Sequence, residues 1–457
     1  MARSAALAVL VWILALPGPA SAQQPLTLSE AIADALAANP RVRAAEAEAD
    51  RAAAEASVAR AAFFPQVSYA ESWQRSNQPV SGFSALLAAR RFTAADFAID
   101  RLNAPGGVSL FGGRVLVRQM LFDGRTRAES AIATGRHEMA AAEAVAARAA
   151  VVLQVTESYG RVLAADAAAR AGAAAVAAAD EGLAVAERRR AAGTATDADV
   201  LAFMVHRAAM RQRTIQAAGD AAIARADLNR VTGAAIMRSF VAIEPSGAPQ
   251  PGAPDVPVAP APGGHDIETL LREAEAARAE MRRAERARVV ADAGIRAARA
   301  AWLPQIAAHA GYQAEGLAAF DRADAWFVGG ELTWTLSLGG AEAARVRAAT
   351  AAQRGAEAAA ADVRAGIHVE VVSAVRRLEA ARARVDLGAA AVADAAERER
   401  ITRNRYDAGL ATVTDVLSAA TARLDAELDR TRALADGLVA EAMLARAIGR
   451  PMNAPLP

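Results

Sequence analysis

The sharpest alternation of apolar and polar positions in the chain lies at Trp326–Leu338. Trp326, Val328, Leu332, Trp334, Leu336 and Leu338 fall on one side, and Glu331, Thr333, Thr335 and Ser337 on the other. This is the period-two pattern of a strand with one apolar and one polar face. Gln66–Gln74 alternates likewise, with Val67, Tyr69 and Trp73 together. Two further strands are expected at about 305–314 and 108–122, the latter interrupted by Gly112 and Gly113. Between the first two strands, up to about Gly107, the chain reads as a polar, Gly-containing loop. The rest is helical. Short helices are expected at 27–38, 41–62, 267–278 and 280–302, and two very long ones at about 126–191 and 341–408. Each long helix extends about 100 Å at 1.5 Å per residue, and each is followed by another helix, 197–232 in the first half and one running to Ile448 in the second. A sevenfold seam runs along both long helices, Val155, Val162, Ala169 and Val176 in one, Val371, Leu378, Val385 and Val392 in the other. Heptad spacing predicts left-handed coiled-coil packing.

Two stretches punctuate this pattern, Arg189–Leu201 (RRAAGTATDADVL) and Arg405–Leu417 (RYDAGLATVTDVL). In each, Gly193 or Gly409 can take the left-handed conformation that ends a helix. Three residues later Thr196 or Thr412 can cap the next helix, with Asp199 or Asp415 in capping-box position. Each stretch is therefore a sharp helix–turn–helix tip. The spacing repeats as well: Gly124/Gly340, Gly193/Gly409, Leu228/Leu444 and Gly233/Gly449 all differ by 216, and Pro65/Pro304 by 239, because the inter-strand loop is shorter in the second half. A duplicated domain explains this. The expected organisation is a leader at 1–22, a first repeat at 23–244, a Pro/Gly-rich linker at 245–264, a second repeat at 265–449 and a tail at 450–457.

Composition narrows the class. Arg3, the apolar Ala5–Leu16 stretch, a Pro-Gly-Pro break and Ala20-Ser21-Ala22 read as a secretory signal. The absence of Cys excludes disulfides, thiolate metal sites and lipid attached to an N-terminal Cys. Beyond the leader no apolar stretch reads as a transmembrane helix. With 52 basic and 51 acidic residues the net charge is +1, which argues against a nucleic-acid partner. Every basic residue is Arg, a composition bias shared with the abundance of Ala. The five His are scattered without ligand spacing, so no metal is expected. No nucleophile elbow, phosphate loop or catalytic triad appears, so neither catalysis nor a cofactor is expected.

Four strands cannot close a barrel, for which about eight is a practical minimum. Yet the Trp326–Leu338 strand has the two faces of a strand between lipid and water, so a closed membrane barrel requires several chains. Phe63-Phe64-Pro65-Gln66, Leu121-Phe122-Asp123-Gly124, Leu338-Gly339-Gly340, Arg405-Tyr406-Asp407-Ala408-Gly409 and Thr414-Asp415-Val416-Leu417, in this order and duplicated, resemble the outer-membrane efflux protein family, the TolC-like channels, over essentially the whole mature length. The resemblance implies a mainly α fold with a small β part. It implies a homotrimer with a twelve-stranded barrel in outer-membrane lipid and an α-helical tunnel in the periplasm. It also implies tips that meet a periplasmic adaptor and an inner-membrane pump, as in tripartite efflux or type I secretion, and a gate closed through Asp199, Asp415 and Tyr406.

This sequence departs from the family's gate in three places. Ser418 stands where some members carry a further acidic residue, Ala411 where some carry an Arg, and Arg190 where the second tip has Tyr406. The residues alone leave alternatives open. Asp199 and Asp415 read equally as exposed capping carboxylates, Tyr406 as a ring packed under its turn, and Arg188-Arg189-Arg190 as a solvated helix face. Two other classes also fit parts of the pattern: a periplasmic adaptor, which needs only one hairpin between β-rich domains, and a secreted coiled-coil structural protein, which needs no lipid-facing strand.

Overall fold

The computed structural model describes residues 24–243 and 266–450. The expected leader and linker, and the tail beyond Arg450, lie outside the described residues. The first half runs β1 (Gln24–Leu26), α1 (Leu28–Ala38), α2 (Pro40–Ala61), β2 (Gln66–Ser76), α3 (Pro79–Ala88), a 3-10 turn (Ala94–Phe97), α4 (Ile99–Asn103), β3 (Val108–Phe122), α5 (Gly124–Ala191), α6 (Asp197–Thr232) and β4 (Phe240–Ala242). The second half runs α7 (Ile267–Ala277), α8 (Ala279–Ala300), β5 (Gln305–Ala318), β6 (Asp321–Thr333), α9 (Ala341–Asp407) and α10 (Val413–Ala447).

Three features differ from the sequence expectation. The stretch between β2 and β3 is not a plain loop but carries α3, the 3-10 turn and α4. The β5–β6 hairpin lies nearer its turn than the alternation suggests: Gln305 pairs with Thr333 and Ala318 with Asp321. Beyond Thr333 the partner strand has run out at Pro304, which cannot donate to a ladder. Trp334, Leu336 and Leu338 therefore continue the alternation without a strand. Third, β1 and β4 form a short parallel pair that the sequence reading missed.

Two compact units cut across the sequence halves. One comprises residues up to Glu46 together with Glu143–Met281 and Val363 onward; the other comprises Ala47–Ala142 and Arg282–Asp362. In the first unit the seam residues Val155, Val162, Val371 and Leu378 are at most 5 % exposed. Val155 and Val162 pack with Leu228 and Phe240, and Val371 and Leu378 with Leu270 and Leu444. Burying each such side chain is worth about 1.5–3 kcal/mol. Further along, Ala169, Val176, Val385 and Val392 are only half-buried. α5 contains a window apolar enough by length and composition to cross a membrane, but its large side chains Val151, Val155 and Val162 belong to this helical core.

Buried polar side chains in this unit tie its elements together. The Tyr159 hydroxyl lies 2.7 Å from the Leu26 carbonyl and 2.6 Å from the Ile243 carbonyl, and burial pushes its pKa up to about 12. The two halves solve one problem with different residues. Asn39 donates to the Val231 carbonyl at 2.7 Å, and Arg278, at the matching position, donates to the Ala447 carbonyl at 3.3 Å.

The second unit holds one antiparallel sheet in the order β2-β3-β5-β6. Its helices approach closely through small residues. A Cβ at Gly135 of α5 would come within 2.4 Å of Val290 on α8. Asp292 of α8 accepts from Gln353 of α9 at 2.7 Å.

Candidate functional site

Each tip is built by its own backbone. Gly193 has φ +75° and Gly409 φ +74°. At the first, the amides of Gly193 and Thr194 donate to the carbonyls of Arg190 and Arg189, both at 2.9 Å; at the second, those of Gly409 and Leu410 donate to Tyr406 and Arg405 at 3.0 and 2.7 Å. These paired bonds are Schellman caps, which satisfy carbonyls otherwise orphaned at a helix end. The next helices start on reciprocal capping boxes. The Thr196 amide and hydroxyl both donate to Asp199 Oδ2 at 2.9 Å, and the Asp199 amide donates back to Thr196 Oγ1 at 3.2 Å. Thr412 and Asp415 repeat this at 2.9, 2.7 and 3.3 Å. The Thr412 hydroxyl and amide, aided by the nearby charges of Arg405 and Arg398, hold the Asp415 carboxyl below the usual carboxylate range.

The tips also touch each other. Leu183, Ala186, Val200 and Phe203 of the first hairpin cluster with Val413 of the second, and Tyr406 and Leu417 pack against them. Arg189 crosses between the hairpins: its Nη2 lies 2.7 Å from Asp407 Oδ1, and its guanidinium carbon 5.1 Å from the centre of the Tyr406 ring. Arg189 is therefore not part of a solvated helix face. Arg190, by contrast, stays within its own tip, 3.3 Å from Asp197. Below the tips, Arg213 of α6 meets Asp425 of α10 at 3.2 Å. Of the residues singled out from sequence, Thr196 with Asp199 and Thr412 with Asp415 form two separate caps, and only Tyr406 joins the contact between hairpins. The sequence reading put Arg189 on a solvated face and gave Asp407 no role of its own. The available signal was that Asp407 has Ala191 as its counterpart: a residue present in only one copy has no local role that both tips share.

The sheet presents one apolar face across all four strands. Trp326 pairs with Tyr312, Tyr312 with Val115 and Val115 with Tyr69; Val328, Ala310, Val117 and Val67 form the next row. Trp326, Val328 and Leu332 are 77, 74 and 65 % exposed. The other face is polar. Arg114 donates to Gln313 at 2.9 Å and stacks over Phe327 at 5.8 Å, and Arg118 lies 3.5 Å from Glu331. Two members of the expected lipid-facing set are displaced. Trp334 and Leu336 lie beyond the last ladder pair, and the Trp334 indole donates to the Trp302 carbonyl at 3.2 Å.

Comparison with known proteins gives a consistent picture. No curated protein sequence matches the chain. In fold it is similar to the outer membrane protein VceC of Vibrio cholerae, with 21 % identity and a TM-score of 0.74 over 93 % of this chain and 97 % of that one. The Campylobacter jejuni CmeC outer membrane channel gives 16 % and 0.76 over 92 % and 85 %. The open state of the Neisseria gonorrhoeae MtrE outer membrane channel gives 19 % and 0.72 over 93 % and 89 %. The family model described as outer membrane efflux protein matches residues 31–234 and 270–450, taking in both tips and all four strands of the sheet, and so the chain belongs to the outer membrane efflux protein family.

Proposed function

We propose that three copies of this chain form the outer-membrane exit duct of a tripartite efflux or type I secretion system. The sheet carries this reading. Its edges, β2 and β6, end without partners in a single chain, while its apolar face is exposed along every strand. A sheet of this kind satisfies its backbone in lipid only by closing; three copies supply twelve strands. Exposed apolar residues on the long helices, among them Val205, Ile215 and Ile223 of α6 and Val369 and Leu387 of α9, are then covered by neighbouring copies. The helices enclose a periplasmic tunnel, and the tips meet an adaptor and an inner-membrane pump that selects the cargo. The duct itself conducts passively. The leader at 1–22 exports the chain, and without Cys it carries no lipid anchor. At the mouth, Asp199 and Asp415 form rings of carboxylates, while Arg189, Tyr406 and Asp407 restrain the hairpins. Such rings favour cations and bind multivalent ones. The protein in detergent should scatter light as a trimer, run as a heat-modifiable oligomer and open cation-selective channels in planar bilayers. A monomer with native helical content would sink the reading.

A further inference from the structure

The segment between β2 and β3 has no counterpart in the second half, where β5 turns directly into β6 through residues 319–320. Its helix α3 packs on β3 and β5, with Gly82 and Ala85 of the helix and its cap residue Ala89 buried. A Cβ at Gly82 would meet the Val108 side chain at 3.7 Å. Val108 shares its side of β3 with Leu110 and Arg114, two and six residues on. Trp73 and Trp326, on the lipid side, remain 63 and 77 % exposed. Helix α3 therefore covers the polar face, the one that a closed barrel turns toward its lumen.

The end of α3 is unusual. Its Schellman cap, with Arg90 and Arg91 donating to Leu87 and Leu86 at 3.0 and 2.9 Å, places Arg90 at φ +54°. Every other left-handed residue described in the chain is a glycine, and a side chain disfavours this conformation. The strain coincides with a contact: Arg90 Nη2 donates to the Asp324 carbonyl at 2.7 Å, and Arg91 forms an ion pair with Asp321. Both contacts bind the segment to the start of β6. Phe92 stacks edge-on against Phe83 at 4.9 Å and Phe97 at 5.0 Å, so the segment holds together as one body. A cavity of about 330 Å³ lies within the segment, between α3 and the chain that leads into Val108, lined by Phe83, Leu86, Asp96 and Leu102. An exposed ion pair is a weak tie, as a reversible latch requires.

We propose that residues 79–107 are a lid on the exit lumen, a second gate in series with the tips, latched by Arg90 and Arg91 to the β5–β6 turn. The inference rests on the duct reading above. The test uses full-length trimers carrying Arg189→Ala, which loosens the tip so that the exit contributes to the total resistance. Arg90→Gly removes the Arg90 half of the latch and relieves the strained backbone together. It should roughly double the single-channel conductance and admit larger polyethylene glycols from the barrel side, without lowering the thermal midpoint. Arg91→Asp should widen the pore too, and adding Asp321→Arg should narrow it again. If Arg90→Gly and Arg91→Asp trimers both keep the parent's conductance and polymer cut-off, the segment is a fixed cover and the lid is overturned. If the wild-type protein forms no channels at all, the duct reading falls and the lid with it.

Discussion

Gly193 and Gly409 share a left-handed φ of +75° and +74°, and Thr196 and Thr412 cap the next helices with the same three hydrogen bonds. One residue before the end of each preceding hairpin arm the tips part company: the first reads Arg189-Arg190-Ala191, the second Arg405-Tyr406-Asp407. The unmatched Tyr406 and Asp407 supply the second hairpin's side of the contact and the matched Arg189 the first's, through the Arg189–Asp407 pair at 2.7 Å and the Tyr406 ring. The glycines and Thr–Asp caps that the duplication kept in both copies do local work at each tip. Divergence next to Arg405, at Tyr406 and Asp407, gives the matched Arg189 partners in the other copy. Substitutions in the matched caps should therefore act alike at both tips, and substitutions at the crossing contact should act on the pair.

The largest matched effect is expected at the glycines. No heavy atom lies within 4 Å of a Cβ built at Gly193 or Gly409, so alanine there meets only backbone strain, about 1–2 kcal/mol. Chemical denaturation of Gly193→Ala and Gly409→Ala should give equal losses; a loss at one tip alone would break the symmetry. Thr196→Ala and Thr412→Ala should each cost about 0.5–2 kcal/mol, since each removes the side-chain acceptor of a cap. The clasp should matter less to stability. Arg189 and Asp407 side chains are 30 and 54 % exposed, so a double-mutant cycle should yield a coupling of about 1 kcal/mol or less, while Arg405→Ala paired with Asp407→Ala yields none. The smallest effect is in pH. The Asp415 carboxyl titrates below its ordinary value because Thr412 holds its charged form. A depressed pKa stabilises the fold above the ordinary carboxylate range and ceases to do so as pH falls through the lowered value. The difference in melting temperature between wild type and Asp415→Asn should be flat at neutral pH and vanish in acid; a difference that grows in acid would contradict this sign.

The same division explains what the sequence made legible. The long helices, caps and heptad seam are local, periodic signals, and Val155, Val371 and Leu378 sit in the core where the heptads place them. The sheet was legible only where pairing followed alternation. Trp334 and Leu336 alternate correctly, but β5 begins at Gln305 and leaves them no partner. Residues Asp321–Ala325, poor in β formers, are strand because β5 pairs with them. A bulge in β3 near Leu121 shifts the register by one, so Leu116, which matches Leu332 by sequence offset, faces the other way and Val117 takes its place. Helix α3 was missed because a single apolar run, VSGFSALLA, carries it among polar and glycine residues. The Arg189–Asp407 contact spans more than two hundred positions, and no local pattern encodes it.

Recording single channels of Asp407→Ala trimers beside wild type in planar bilayers tests the gate most directly. A clasp that restrains the mouth predicts a higher resting conductance, with the trimer intact and its stability changed by no more than about 1 kcal/mol. Resting conductance at the wild-type value would contradict it, leaving Arg189 and Asp407 as surface residues with no part in the proposed gate.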